Sequence, residues 1–195
     1  MPVLPILEIP HPTLRMRAKK VRSIDKKTLR LAHDMVDTMR DAGGVGLAAN
    51  QVGELVRIIV LQMPDEEEAR IYFNPEVTKS KGMREVEEGC LSLPGLRGIV
   101  ERSIWIKFQG LDRCQKLVKF KAEDLLSQAI EHEVDHLNGI LYPDHLVSHT
   151  QLYKIDESQQ PTEHTGSNIG PHVDQSPNID VADDTRDSPA STKIK

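Results

Sequence analysis

The order of elements in this 195-residue chain predicts a domain of mixed helix and strand. Three observations support that class. Two segments, residues 26–41 and 125–139, repeat their apolar side chains at steps of three and four, the period of an amphipathic helix. Between them, turn residues divide the chain into short runs that alternate or are rich in β-branched side chains, as strands are. From Asp156 onward there is no Leu, Phe, Tyr or Trp. Such a segment buries too little apolar area to offset its ordering entropy, so the folded domain is expected to span residues 1–155 and the tail, 156–195, to be disordered.

In chain order, residues 4–12 are apolar and punctuated by proline, which predicts extended chain laid over a core. Residues 14–21 are basic and expected at the surface. Asp25 is a candidate N-cap for the first helix, and Gly43-Gly44 stands where that helix ends. His33 within it is read as structural. Residues 43–53 form a loop of small residues without the Lys-Ser/Thr ending of a phosphate loop. It is either a plain connection or a wall on which an extended peptide lies. Strands are predicted at 56–63, 71–73, 76–78, 83–88, 99–101, 103–109 and 115–120. Turns are expected at Asn74-Pro75 and at 110–113, with Cys114 a bystander beside the second. Residues 146–154 are expected as a short last helix.

The second helix carries the chemistry. Leu125, Ala129, His132 and His136 form one row, with Leu126, Ile130, Glu133 and Leu137 beside it. Asp124, Gln128, Glu131, Asp135 and Asn138 form a polar row on the other side. The apolar face is thus interrupted by His132, Glu133 and His136. Burying even a merely polar group without a partner costs roughly 2–7 kcal/mol, so something must compensate. A divalent metal does so: histidines four apart lie one turn apart, both imidazoles reach one ion, and the intervening Glu133 sits beside it without ligating. This is the His-Glu-x-x-His spacing of metal-dependent hydrolases. Two histidines leave the ion short of a third protein ligand. Cys90, His145, His149 and several carboxylates are candidates. Cys90 follows a glycine, and a thiolate binds a borderline ion strongly.

Charge and composition exclude several classes. From Asp156 onward eight acids stand against three bases, and the rest of the chain carries 22 of each. A neutral body gives no support to general nucleic-acid binding. No stretch approaches the roughly 20 apolar residues of a membrane span, and no signal peptide is seen. Two cysteines make no disulfide framework, so a cytoplasmic location is expected.

Three segments together carry a resemblance. Residues 44–51 (Gly-Val-Gly-Leu-Ala-Ala-Asn-Gln), 88–92 (Glu-Gly-Cys-Leu-Ser) and 132–136 (His-Glu-Val-Asp-His) resemble, in order and spacing, the signature motifs of peptide deformylases. Residues 9–15 resemble that family's opening, and the likeness covers roughly residues 1–152. It implies an α+β fold in which antiparallel sheets surround the motif helix, with a further helix near the N-terminus. It implies a hydrolase that removes the formyl group from N-formylmethionyl nascent peptides. Cys90, His132 and His136 would hold one divalent metal ion per chain, Fe(II) as the native ion with Zn, Ni or Co able to replace it. Glu133 would move the proton. The Gln51 amide and the Leu91 backbone N–H would stabilise the oxyanion. Val45, Gly46 and Gly89 would pair with the substrate backbone, as an added strand does. Val86, Leu125 and Ala129 are candidates for lining the methionine pocket. Arg97 is placed at its mouth or facing solvent.

Two departures stand out. Glu131 occupies a position where the family more often has glutamine. It falls on the polar row, so effects on neighbouring side chains or at the surface are expected. Some family members carry a basic C-terminal helix that meets the ribosome, and the acidic C-terminus here counts against that mode of docking. Two rival classes account for less of the sequence. A zinc endopeptidase with His145 or His149 as third ligand leaves residues 88–92 and Gln51 unexplained. A non-catalytic metal protein, recruiting partners through its tail, has no use for Glu133 or Gln51.

Overall fold

The structure, a computed structural model, describes residues 3–146, 148 and 152–154. The acidic C-terminal segment, with His164 and His172, lies outside the described residues, as does His149. The first helix, α1 (Lys26–Asp41), has the expected bounds. Asp25 accepts the Thr28 N–H at 2.8 Å as N-cap, and Gly43, at φ 65°, takes the left-handed turn that ends the helix. His33 is exposed on it. The basic segment before it is at the surface, with Leu14 and Ala18 tucked inward.

The strands are β1 (Gly46–Ala48), β2 (Ile58–Leu61), β3 (Arg70–Cys90), β4 (Leu93–Leu111), β5 (Leu117–Glu123) and β6 (Leu152–Lys154). All neighbours are antiparallel, in the order β1-β2-β3-β4-β5, with β6 paired to β4. Among the described strands, β1 has β2 alone as a partner. β2 shows why its sequence is apolar without alternation: both of its faces are buried. Ile58 and Val60 pack with Met35, Met39, Leu47 and Phe73 on the α1 side. Ile59 and Leu61 pack with Tyr72, Ile106, Phe108, Ile130 and Leu137 on the other. The second helix, α2 (Asp124–Leu137), lies on that other side and touches each of β1 to β5. No residue from Leu126 to Ile140 is exposed, so the motif helix is central, as the α+β expectation required.

The structure corrects several local expectations. β3 and β4 are single long strands rather than series of short ones. At Asn74-Pro75 the register shifts between Phe73 and Glu76, with Asn74 at φ 52°. This bulge absorbs a proline that has no N–H to give the ladder. Gly110 is a strand residue opposite Val118. The reversal comes later, where Asp112 Oδ1 accepts the N–H groups of Cys114 and Lys116. Residues 152–154 are strand rather than helix, because the β4 edge at Leu96–Gly98 offers them a partner. The polar row of α2 is covered in part: Gln128, Glu131, Asp135 and Asn138 are half-buried, and Asp124 at the helix start is exposed. Both Glu131 oxygens accept from Ser103, at 2.9 and 2.7 Å, which anchors α2 on β4. Gly139 ends α2 at φ 76°, pressed against the Arg15 carbonyl.

Candidate metal centre

Two elements meet at the site. α2 presents His132 and His136 one turn apart, their rings edge to face with centroids at 4.9 Å. The end of β3 brings Cys90, where the chain reverses tightly and Cys90 pairs with Leu93. Cys90 Sγ lies 3.1 Å from His136 Nε2. One donor atom from each of Cys90, His132 and His136 lies within 4.8 Å of the others. Donors around a tetrahedral ion with bonds of 2.0–2.3 Å stand about 3.4–3.6 Å apart, so the set closes on one cation with small adjustments. The surroundings fit the same occupant. Burial opposes charge on His132, yet Cys90 and Glu88 outweigh it and draw positive charge there. Burial keeps His136 neutral, the form in which an imidazole ligates. One thiolate with two imidazoles suits a borderline divalent ion such as iron, cobalt, nickel or zinc.

Glu133 is 4% exposed, and its Oε2 is buried without a hydrogen-bond partner among the described residues. Burial pushes its carboxyl up to about 7. Its Oε1 occupies the space that a side chain on Gly46 would fill: a Cβ there would stand 2.4 Å from it. Gln51 is held from two sides. Its Oε1 accepts the Ala48 N–H at 2.8 Å, which turns its amide nitrogen toward Ser92 Oγ, at 3.2 Å, and Cys90 Sγ, at 3.6 Å. The extended N-terminal segment steadies both walls, Leu7 donating to the Gln51 carbonyl and Ile9 to that of Ser92.

A cleft of about 450 Å³ opens in front of these groups. Val45, Gly46, Gln51, Gly89, Cys90, Leu91, Arg97, Leu125, Ala129, His132 and Glu133 all line it. The small-residue loop is therefore a strand and a 3-10 turn forming one wall, not a plain connection. His136 is buried beside Cys90 and His132. Val86 does not line the cleft: on β3 its wall begins at Glu87, and Val86 pairs with Val100. Arg97 is at the mouth, partly in solvent, 3.2 Å from Glu87, which also accepts the Tyr153 hydroxyl. His145 stands outside the donor cluster of Cys90, His132 and His136: its Nε2 lies 3.0 Å from Asp135 Oδ2.

Sequence reasoning missed the groups behind the ligands. Glu88 Oε2 lies 2.8 Å from His132 Nδ1, and Arg102 bonds the same carboxylate. Burial would raise Glu88, but His132 and Arg102 hold it down at about 2. Tyr142 stacks on His132 at 6.2 Å between centroids. The available signal was a carboxylate two residues before Cys90.

Comparison with known proteins agrees with this geometry. A family model described as polypeptide deformylase matches residues 3–152. The peptide deformylase of Dehalococcoides mccartyi strain CBDB1 is 47% identical over 155 residues, covering 80% of this chain and 93% of its own. That of Halothermothrix orenii is 48% identical over 147 residues, covering 75% and 96%. A crystal structure of a peptide deformylase from Legionella pneumophila aligns with a TM-score of 0.73 at 40% identity, over 77% of this chain and 89% of that one. One from Synechococcus elongatus, in complex with actinonin, aligns with a TM-score of 0.74 at 33% identity, over 77% and 82%. With nearly half its residues shared over four-fifths of its length, this chain belongs to the polypeptide deformylase family, hydrolases that release formate from formyl-methionine at the start of newly made proteins.

Proposed function

We propose that Cys90, His132 and His136 hold one divalent metal ion, Fe(II) in the cell, with Zn, Ni or Co able to take its place. The protein then works in the cytoplasm on N-formylmethionyl nascent peptides, met near the ribosomal exit tunnel. The observation that carries this reading is the approach of Cys90 Sγ to His136 Nε2, 3.1 Å, from positions 46 residues apart.

A bound ion supplies Lewis acidity, polarising the formyl oxygen and making water acidic enough to lose a proton near neutrality. The remaining work falls to side chains. Glu133, with a buried oxygen lacking any other partner, accepts the proton of the attacking water and delivers it to the departing amine. Gln51, its carbonyl oxygen already engaged by Ala48, offers its N–H groups to the oxyanion, and the Leu91 backbone N–H joins it. Losing one such donor typically costs a factor on the order of 100–1000 in rate. An extended substrate lies between Val45-Gly46, where β1 begins, and Gly89, adding itself as a strand. Its methionine side chain goes toward Leu125 and Ala129, with Arg97 at the mouth.

The test is formate release from a formyl-Met peptide by wild type and by Glu133→Ala, with metal content measured in both. Wild type should release formate, and Glu133→Ala should retain the ion without turnover. Internal cleavage of the peptide would instead mark an endopeptidase. Undiminished formate release by the variant would remove Glu133 from its role.

A further inference from the structure

Behind the ligands runs a line of charged groups that hydrolysis itself does not use. His132 turns Nδ1 toward Glu88 Oε2 at 2.8 Å, which leaves its Nε2 for the ligand side. Arg102, on β4, donates to Glu88 through Nε at 2.8 Å and Nη2 at 3.0 Å. Its third nitrogen, Nη1, donates to Asp135 Oδ2 at 2.6 Å. The same oxygen meets His145 Nε2 at 3.0 Å. The Arg102 and Glu88 residues are each 4% exposed, whereas the His145 side chain is 35% exposed. The line therefore runs from the surface to the metal site.

A buried carboxylate survives as an anion only when a cation and good hydrogen bonds compensate it. Arg102 does that for Glu88 with two of its nitrogens, and the planar fork fixes the direction in which Glu88 points. Its third nitrogen ties this assembly to α2, the helix that carries both histidines. His145 has a second route to the same ring. It ends the 3-10 turn Tyr142–His145, whose Tyr142 stacks on His132. Anchoring His145 on Asp135 holds that turn in place.

We propose that Arg102 and His145 are positioning residues for the metal. Arg102 sets Glu88, Glu88 sets which nitrogen of His132 faces Cys90 and His136, and His145 locks the line at its outer end. This rests on the reading of Cys90, His132 and His136 as ligands. Wild-type protein that holds no nickel after dialysis would sink that reading before any variant was compared.

The experiment loads the full chain with Ni(II) and follows its removal by EDTA for wild type, His145→Ala, His145→Gln and Arg102→Lys. It also measures kcat and KM on a formyl-Met peptide and the melting temperature of the metal-free proteins. Partners behind a metal ligand typically contribute 10–100-fold in metal affinity or activity. Arg102→Lys should release nickel on the order of 10-fold faster, and His145→Ala by a smaller factor. In both, kcat should fall with KM unchanged, because the peptide-binding wall is untouched. His145→Gln, whose amide still donates to Asp135, should hold nickel as wild type does, and the metal-free melting temperatures of the His145 variants should match wild type. Nickel release at the wild-type rate in both Arg102→Lys and His145→Ala overturns the proposal. So does release from His145→Gln as fast as from His145→Ala, which would reduce His145 to packing. If Arg102→Lys does not fold, the two variants at the partly exposed His145 decide alone.

Discussion

Gly46→Ala should lower deformylation about 100-fold while leaving the metal in place. An alanine Cβ at this position would stand 2.4 Å from Glu133 Oε1 and 3.0 Å from its Cγ and Cδ. Ordinary contact begins near 3.4 Å, so the carboxylate must retreat by about 1 Å. Glu133 is buried on a helix with no exposed face along that stretch, and its retreat carries it off the path of the proton. Misplacing a reacting group by about 1 Å costs on the order of 100-fold in rate. The backbone itself accepts alanine, because Gly46 is a strand residue outside the left-handed region. None of Cys90, His132 and His136 is among the nearest contacts of the new methyl. The assay is kcat and KM on a formyl-Met peptide beside metal analysis and circular dichroism. Wild-type kcat in a folded, metal-loaded Gly46→Ala would refute the reasoning. Loss of the metal would show that the methyl acts through the ligands instead.

Other expectations can be checked on the same protein. Cys90→Ala should lose most of its metal on dialysis while keeping its circular dichroism spectrum; unchanged metal content would point to another third ligand. Gly139→Ala should be destabilised rather than inactivated, because its φ is +76° and its Cβ would meet the Arg15 carbonyl oxygen at 2.4 Å, backbone that does not swing aside. Forcing such a residue costs about 1–3 kcal/mol, read from urea unfolding, and a midpoint equal to wild type would contradict the clash. Asp144 gives a pH signature. Burial would raise its carboxyl, but the Arg15 guanidinium and the Leu141 N–H hold it below the ordinary value of 3.8. A carboxyl lowered by folding adds stability at neutral pH, and that contribution is lost as pH falls through the folded value. The stability gap between wild type and Asp144→Asn should therefore shrink between pH 5 and pH 2; a constant gap would mean the ion pair contributes nothing.

Local signals were legible where one segment decides its own structure. The Asp25 cap, the spacing of Ala32, Val36 and Met39, and the Gly43-Gly44 stop fix α1 without reference to the rest of the chain. The two histidines of α2 were legible for the same reason, and Cys90 once its motif was set beside theirs. What escaped depends on partners distant in sequence. Pro75 and Gly110 look like breaks until a long antiparallel neighbour carries the ladder past them. Residues 152–154 are too few to declare themselves strand and become one only against β4. Nothing near Arg102 in sequence marks it, and Glu88 and Asp135 stand in their motifs without a visible partner; the contacts among the three appear only when the β3–β4 hairpin is folded against α2. Val86 failed as a lining residue because where a long strand enters a cleft is set by its register.

The side of β1 turned away from β2, which pairs with no described strand, has a consequence for how widely the protein can serve. Amides and carbonyls are common to every polypeptide, so a guest aligned there as proposed would be accepted whatever its later side chains. Discrimination would then be left to the capped first residue. With only three residues, Gly46–Ala48, the strip is also too short to zip one copy of the protein onto another, a hazard of longer bare edges.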